Sequence, residues 1–343
     1  MFKHGKPAIV LISCLHLIAC SDTPSAQQAD TGSSSLAAAW APPRTPWGDP
    51  DLQGQWPLDS LSGTSFERPV AFGEQAFLTE EQYAARVEQQ AERAGAYDRE
   101  DQEDRIGGGH WFEWNAPPLR QTSLIVEPAN GRIPPMTEKG AALAVAMKSS
   151  WTEEVFTDIG DFNPLDRRIT RGLPASMIPF PYNNGLQIVQ SPGYVVMNHE
   201  LIHETRIIPL DARPPLSDAI QPWLGSSRGH WEGDTLVIET GNFNGLSPMN
   251  IVAGPNGVPT STSLHIMERL TLTGPDTIQY EAFVEDPEML TAPWKMAFPL
   301  TRNENYGMFE YACHEGNTVV DAYIRATNEQ FHLENAAPPS TAN

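Results

Sequence analysis

From Leu186 onward, apolar residues alternate with polar ones in short runs broken by Gly, Asn, Asp and Pro. A period of two is what antiparallel strands require, because successive side chains face opposite sides. Leu264 to Leu272 and Thr277 to Glu285 flank the turn residues Gly274-Pro275-Asp276. In Trp231-Glu232-Gly233-Asp234-Thr235-Leu236 a Gly-Asp pair sits between two such runs, a tight-hairpin signal because glycine accepts positive φ. Trp294, Met296, Phe298 and Leu300 alternate, and Met308 to Cys313 offers a return strand after Asn303-Glu304-Asn305. With Leu186 to Gln190 and Tyr194 to Leu210, the pattern predicts a mainly β fold, an antiparallel meander of about eight strands, barrel-like or a sandwich.

The N-terminal half adds helices. Thr79 and Gln82 have capping-box spacing ahead of Tyr83, Val87 and Ala91, which predicts a helix near 79–95 ending at Gly95. A second is predicted over 137–147, from Thr137 through an Ala-rich run to Met147. The mixed charges from Asp98 to Arg105 read as a solvated segment.

The first residues carry an address. Lys3, His4 and Lys6 precede an apolar run from Pro7 to Ala19, the order of a secretory signal, and that run is too short to span a bilayer. Leu17-Ile18-Ala19-Cys20 resembles a lipobox, which implies cleavage before Cys20 and a lipid on that cysteine. Residues 1–19 are thus expected to be a signal peptide, 20–46 a flexible tether, 47–333 a single β-rich domain and 334–343 a disordered tail. Ser21 is not the acidic residue that marks inner-membrane retention, so the expected place is the bacterial envelope, on the outer membrane facing the periplasm. Membrane contact is then through the lipid on Cys20 alone.

Net charge narrows the partners. The chain carries −21, and loss of the two signal lysines makes it two units more negative, which disfavours nucleic acid and acidic membrane surfaces. Nine tryptophans and 40% hydrophobic residues supply a real core. Cys14 leaves with the signal, so Cys20 and Cys313 remain and the folded body has no internal disulfide. Cys313 reads as a small buried hydrophobe rather than a nucleophile.

The sharpest chemical spelling is His199-Glu200-Leu201-Ile202-His203. On a helix, His199 and His203 would share a face to bind zinc and Glu200 would activate water, as in a zinc-dependent metallopeptidase. On a strand, the same four-residue separation spans about 13 Å and one ion cannot join them. Tyr194-Val195-Val196 before and Ile207-Ile208 after are β-formers, which favours the strand. His203 would then share a face with His199 and Leu201, while Glu200, Glu204 and Arg206 take the other. Glu204 and Arg206 could pair facing a cavity. Near the C-terminus Glu310, Ala312 and His314 would alternate onto one face, with His314 placed to act as a general base. The phosphate-binding loop, the dinucleotide fingerprint and paired metal cysteines are all missing from the sequence.

A set of segments resembles a family of uncharacterised exported bacterial proteins. They include Thr45-Pro46-Trp47-Gly48-Asp49-Pro50-Asp51-Leu52-Gln53-Gly54, Tyr182-Asn183-Asn184, Ile202-His203-Glu204-Thr205-Arg206, Gly229-His230-Trp231-Glu232-Gly233-Asp234-Thr235-Leu236-Val237 and Glu310-Tyr311-Ala312-Cys313-His314-Glu315-Gly316-Asn317. The resemblance covers nearly all of the chain after the tether and implies no particular chemistry. In that pattern the position of His199 is not histidine. Where the pattern has Arg-Cys ahead of Arg171, this chain has Arg167-Arg168. If that cysteine pairs with the one in the Tyr-Ala-Cys-His-Glu segment, Cys313 has lost its partner here.

Three functions stay open. The first is a cavity for a small, largely apolar molecule, oriented by His203, Glu204, Arg206, Glu310 and His314, with acid–base or hydrolytic chemistry undecided and no cofactor. The second is the zinc enzyme. The third is a structural or partner-binding envelope lipoprotein with a large exposed apolar patch.

Overall fold

A computed structural model describes residues 40–107, 109, 113, 116–148, 150, 156–214, 216–250, 257–312, 317–318 and 320–327. The signal peptide, Cys20, most of the tether, Cys313, His314 and the 334–343 tail lie outside the described residues.

The fold is mainly β. Ten strands among the described residues form two antiparallel sheets, neither closed into a barrel. One sheet has four strands, in the order β1 (Gly54–Gln55), β3 (Leu186–Ser191), β4 (Tyr194–His199) and β5 (Glu204–Pro209). The other has six, in the order β2 (Ile125–Glu127), β10 (Trp294–Thr301), β9 (Thr277–Glu285), β8 (His265–Gly274), β7 (Thr235–Gly241) and β6 (Ser226–Glu232). From β6 to β10 each strand pairs with the next, as a meander must.

Alternation decides which face is buried. Ile266, Leu270 and Leu272 of β8, Ile278, Tyr280, Ala282 and Val284 of β9, and Trp294, Met296, Phe298 and Leu300 of β10 are all at most 4% exposed. They meet Leu186, Ile188, Val195, Met197 and Ile208 of the smaller sheet in one core, so the sheets pack as a sandwich. Tyr280 and Phe298 lie with ring centroids 5.1 Å apart across β9 and β10. Gly229 in β6 has a packing reason. A Cβ there would lie 2.8 Å from Leu210 Cδ2 and 3.1 Å from Ile208 Cγ2, so any larger residue would make these side chains shift where the sheet edge closes on β5.

Local signals behave as the sequence predicts at the strongest positions. Gly233, at φ 61°, turns β6 into β7. Helix α1 (Glu80–Ala94) begins at Thr79 with a complete capping box: Gln82 N–H donates to Thr79 Oγ1, and Thr79 N–H to Gln82 Oε1 at 2.9 Å. A short helix α2 (Ala96–Gln102) occupies part of the charged segment that reads as solvated chain. Helix α3 (Glu138–Ala146) starts at Thr137, whose Oγ1 accepts from Gly140 N–H.

Two strand expectations are corrected. Tyr194 to Leu210 is a hairpin rather than one strand, turning over residues 200–203. Leu201 and Ile202 are buried in that turn against Phe180, with Leu165, Tyr182 and Tyr311 around them, and this small second core folds the chain back. Residues 308–312 form no strand. Phe309 is largely exposed, and its N–H donates to the Glu200 carboxylate at 3.0 Å instead of to a strand. Order also begins ahead of Trp47, because Thr45 is buried and its N–H donates to Asp49 O. No helix among the described residues is long and apolar enough to cross a membrane.

Candidate functional site

The β4–β5 hairpin carries most of the residues singled out from the sequence. His199 ends β4, Glu204 opens β5, and the two are directly paired across the hairpin. The intervening residues form the turn, so the helical face needed for zinc at His199 and His203 does not exist. His199 is 2% exposed. His203 is exposed at φ 52°, with its Nδ1 3.1 Å from Tyr311 O. Among the described residues no group of three or more His, Cys, Asp or Glu side chains could hold a metal ion.

Glu204 and Arg206 share the inward face of β5, one strand repeat apart, yet each has a different partner. The Glu204 carboxylate accepts from Thr170 Oγ1, from Arg171 N–H at 3.0 Å and from Ser176 Oγ at 2.5 Å. Burial pushes its pKa up, and the donors from Ser176 and Thr170 pull against that. It thereby pins the 170–178 loop to the sheet. Arg171 above it donates to Ile178 O at 2.8 Å and lies over the Phe180 ring at 5.2 Å. Burial lowers the Arg171 pKa to about 10, with Glu204 acting in the opposite direction.

Arg206 instead crosses to the other sheet. Its two terminal nitrogens donate to Glu268 of β8 at 3.0 and 2.5 Å, and Tyr280 OH donates to the same carboxylate at 2.9 Å. Both side chains of the pair are at most 2% exposed. Burial opposes the guanidinium charge, but Glu268 outweighs it with Tyr280 and Glu204, and the Arg206 pKa rises. His199, paired with Glu204, has its pKa lowered to about 3, by burial first and then by Arg206 and Arg171.

A second carboxylate cluster escaped the sequence reading. Glu200 accepts from Tyr306 OH at 2.9 Å, Asn183 Nδ2 at 2.8 Å and Gly185 N–H at 3.1 Å. Glu113 takes Asn183 N–H at 2.7 Å, and Tyr306 OH lies 3.4 Å from both its oxygens. Burial, with Glu200 nearby, raises the Glu113 pKa. Burial and the two carboxylates raise that of Tyr306. Tyr182-Asn183-Asn184 was a usable hint, since Asn183 sits at φ 53°, a conformation Asn tolerates. Glu310 is exposed, and His314 lies outside the described residues. Arg168 Nη1 donates to Tyr311 OH at 3.3 Å, so the Arg167-Arg168 position does approach the segment that leads to Cys313.

Apart from Arg167, none of the described groups among these lines a further cleft with apolar walls. That cleft, of about 360 Å³, lies between α3, the 159–167 segment and the loop around Ser247, with Leu143, Met147, Phe162, Trp223 and Leu246 on its walls. The chain matches no protein family, no curated protein and no solved structure. The cleft's polar side chains include Lys148, Asp161, Asn163, Arg167, Ser247 and Thr260. Lys148 pairs with Asp161 at 3.0 Å, and the Asp161 pKa falls to about 2, through the Thr157 N–H first and then Lys148. Trp223 also borders a second cleft, of about 310 Å³, lined by Thr205, Arg206 and Ser227. Among the described residues expected at a site, Arg206 alone lines either cleft.

Proposed function

We propose that this protein is a lipid-anchored envelope protein that binds a small, largely apolar molecule in the cleft beside Trp223. One observation carries the reading: an apolar-walled cleft of about 360 Å³, within the roughly 300–1,000 Å³ of small-molecule sites. Binding rather than turnover is the activity favoured. Glu204 and Arg206 are committed to buried networks. Asp161, the cleft's carboxylate, titrates at about 2 and is a poor base near neutral pH.

The test is titration with N-phenyl-1-naphthylamine, a neutral apolar dye that brightens out of water. Saturable binding at one site, weakened about tenfold by Leu246→Asp and by Trp223→Ala, is the expected result. Binding that does not saturate, or that ignores both substitutions, would remove the cleft as the site.

A further inference from the structure

We infer that the molecule held in this cleft is a monocarboxylate, an apolar body with one anionic head, whose carboxylate is received by Arg167. The inference rests on the cleft reading above and adds the chemistry of the head group.

Among the described residues the cleft holds two cationic side chains and one carboxylate. Asp161 neutralises Lys148 at 3.0 Å and stays ionised down to about pH 2. Arg167 is left over. Among the described residues its guanidinium has no ion pair, hydrogen bond or ring contact. A guanidinium presents a planar fork of N–H donors suited to a carboxylate, and beside apolar walls it gains more from an anion than it would in open water.

Overall charge sharpens the point. The chain carries −21, so a carboxylate arrives against a repulsive background, and only a local cation can hold it. Screening over about 8 Å at physiological salt confines that background and leaves the short Arg167 contact dominant. One surplus cation suits one negative charge. A phosphate monoester or a dicarboxylate would bring a second charge that has no partner here.

The experiment compares octanoate and 4-phenylbutyrate with their primary amides, octanamide and 4-phenylbutyramide, by calorimetric titration at neutral pH. Each acid should bind about tenfold more tightly than its amide, and Arg167→Gln should shrink that preference to about twofold. An unchanged thermal melt shows that the variant is folded. Equal affinity of acid and amide, or a preference that survives Arg167→Gln, would overturn the carboxylate assignment and leave the apolar cleft standing. If neither compound binds and the neutral dye also fails, both readings fall together.

Discussion

His199 shows how burial turns an ordinary side chain into a pH liability. In the folded chain it takes a proton only near pH 3, against 6.5 when unfolded. Between those values the unfolded state binds more protons. Stability is therefore full above about 6.5 and declines as pH falls toward 3, a loss of ~2 kcal/mol at pH 5 from this residue. Urea unfolding at pH 7.5 and pH 5 should show that difference shrinking in His199→Gln; an equal pH dependence in the variant would mean the histidine is not held neutral. The zinc-like spelling around it was legible, but its geometry was not. Glu200-Leu201-Ile202-His203 contains none of the Gly, Asn or Pro that announce a turn, and the chain turns there because Leu201 and Ile202 are buried beside Phe180. The shared face of Glu204 and Arg206 followed correctly from a period of two. Their partners, in the 170–178 loop and on β8, are distant in sequence and leave no local mark.

Elements were readable where their ends carry chemistry. Helix α1 has its start written in Thr79 and Gln82, and Thr79→Ala should cost about 1 kcal/mol by removing the acceptor for Gln82 N–H. Thr79→Asp, which restores an acceptor and adds charge at the positive end of the helix, should recover that loss; thermal melts of the three proteins compare them directly. Hairpins with glycine at the turn, such as Gly233, were equally plain. The two-residue β1 and three-residue β2 were not, because segments that short show no period and exist only through the β3 and β10 partners beside them. The apparent strand at 308–312 failed for the converse reason. Its alternation was real, but Phe309 N–H finds the Glu200 side chain before any strand edge. The cleft lay beyond such reasoning, since α3, Arg167, Trp223 and Ser247 are far apart in sequence and meet only after the sandwich forms.

At the scale of the molecule, the address and the sandwich call for separate tests. If Cys20 carries the lipid, Cys20→Ser should abolish incorporation of labelled palmitate in growing cells and release the protein from the membrane fraction; continued incorporation would sink the anchor. Among the described residues one buried ion pair joins the two sheets, Arg206 of β5 with Glu268 of β8. Such a pair loses much of its attraction to the desolvation of both charges, so its presence does not by itself add stability. Removing one member is a different matter. Arg206→Met leaves Glu268 buried with Tyr280 as its remaining donor from this network, and should destabilise by ~3–5 kcal/mol. Adding Glu268→Leu removes the stranded charge and offers apolar surface to the core around Met197 and Leu270, so the double variant should recover most of that loss, though Tyr280, Ser227 and Thr240 then lose partners. Denaturant unfolding of wild type, both single variants and the double variant closes the cycle. A double variant as unstable as the sum of the singles would show that the network supports the sheets through its individual contacts rather than through charge balance.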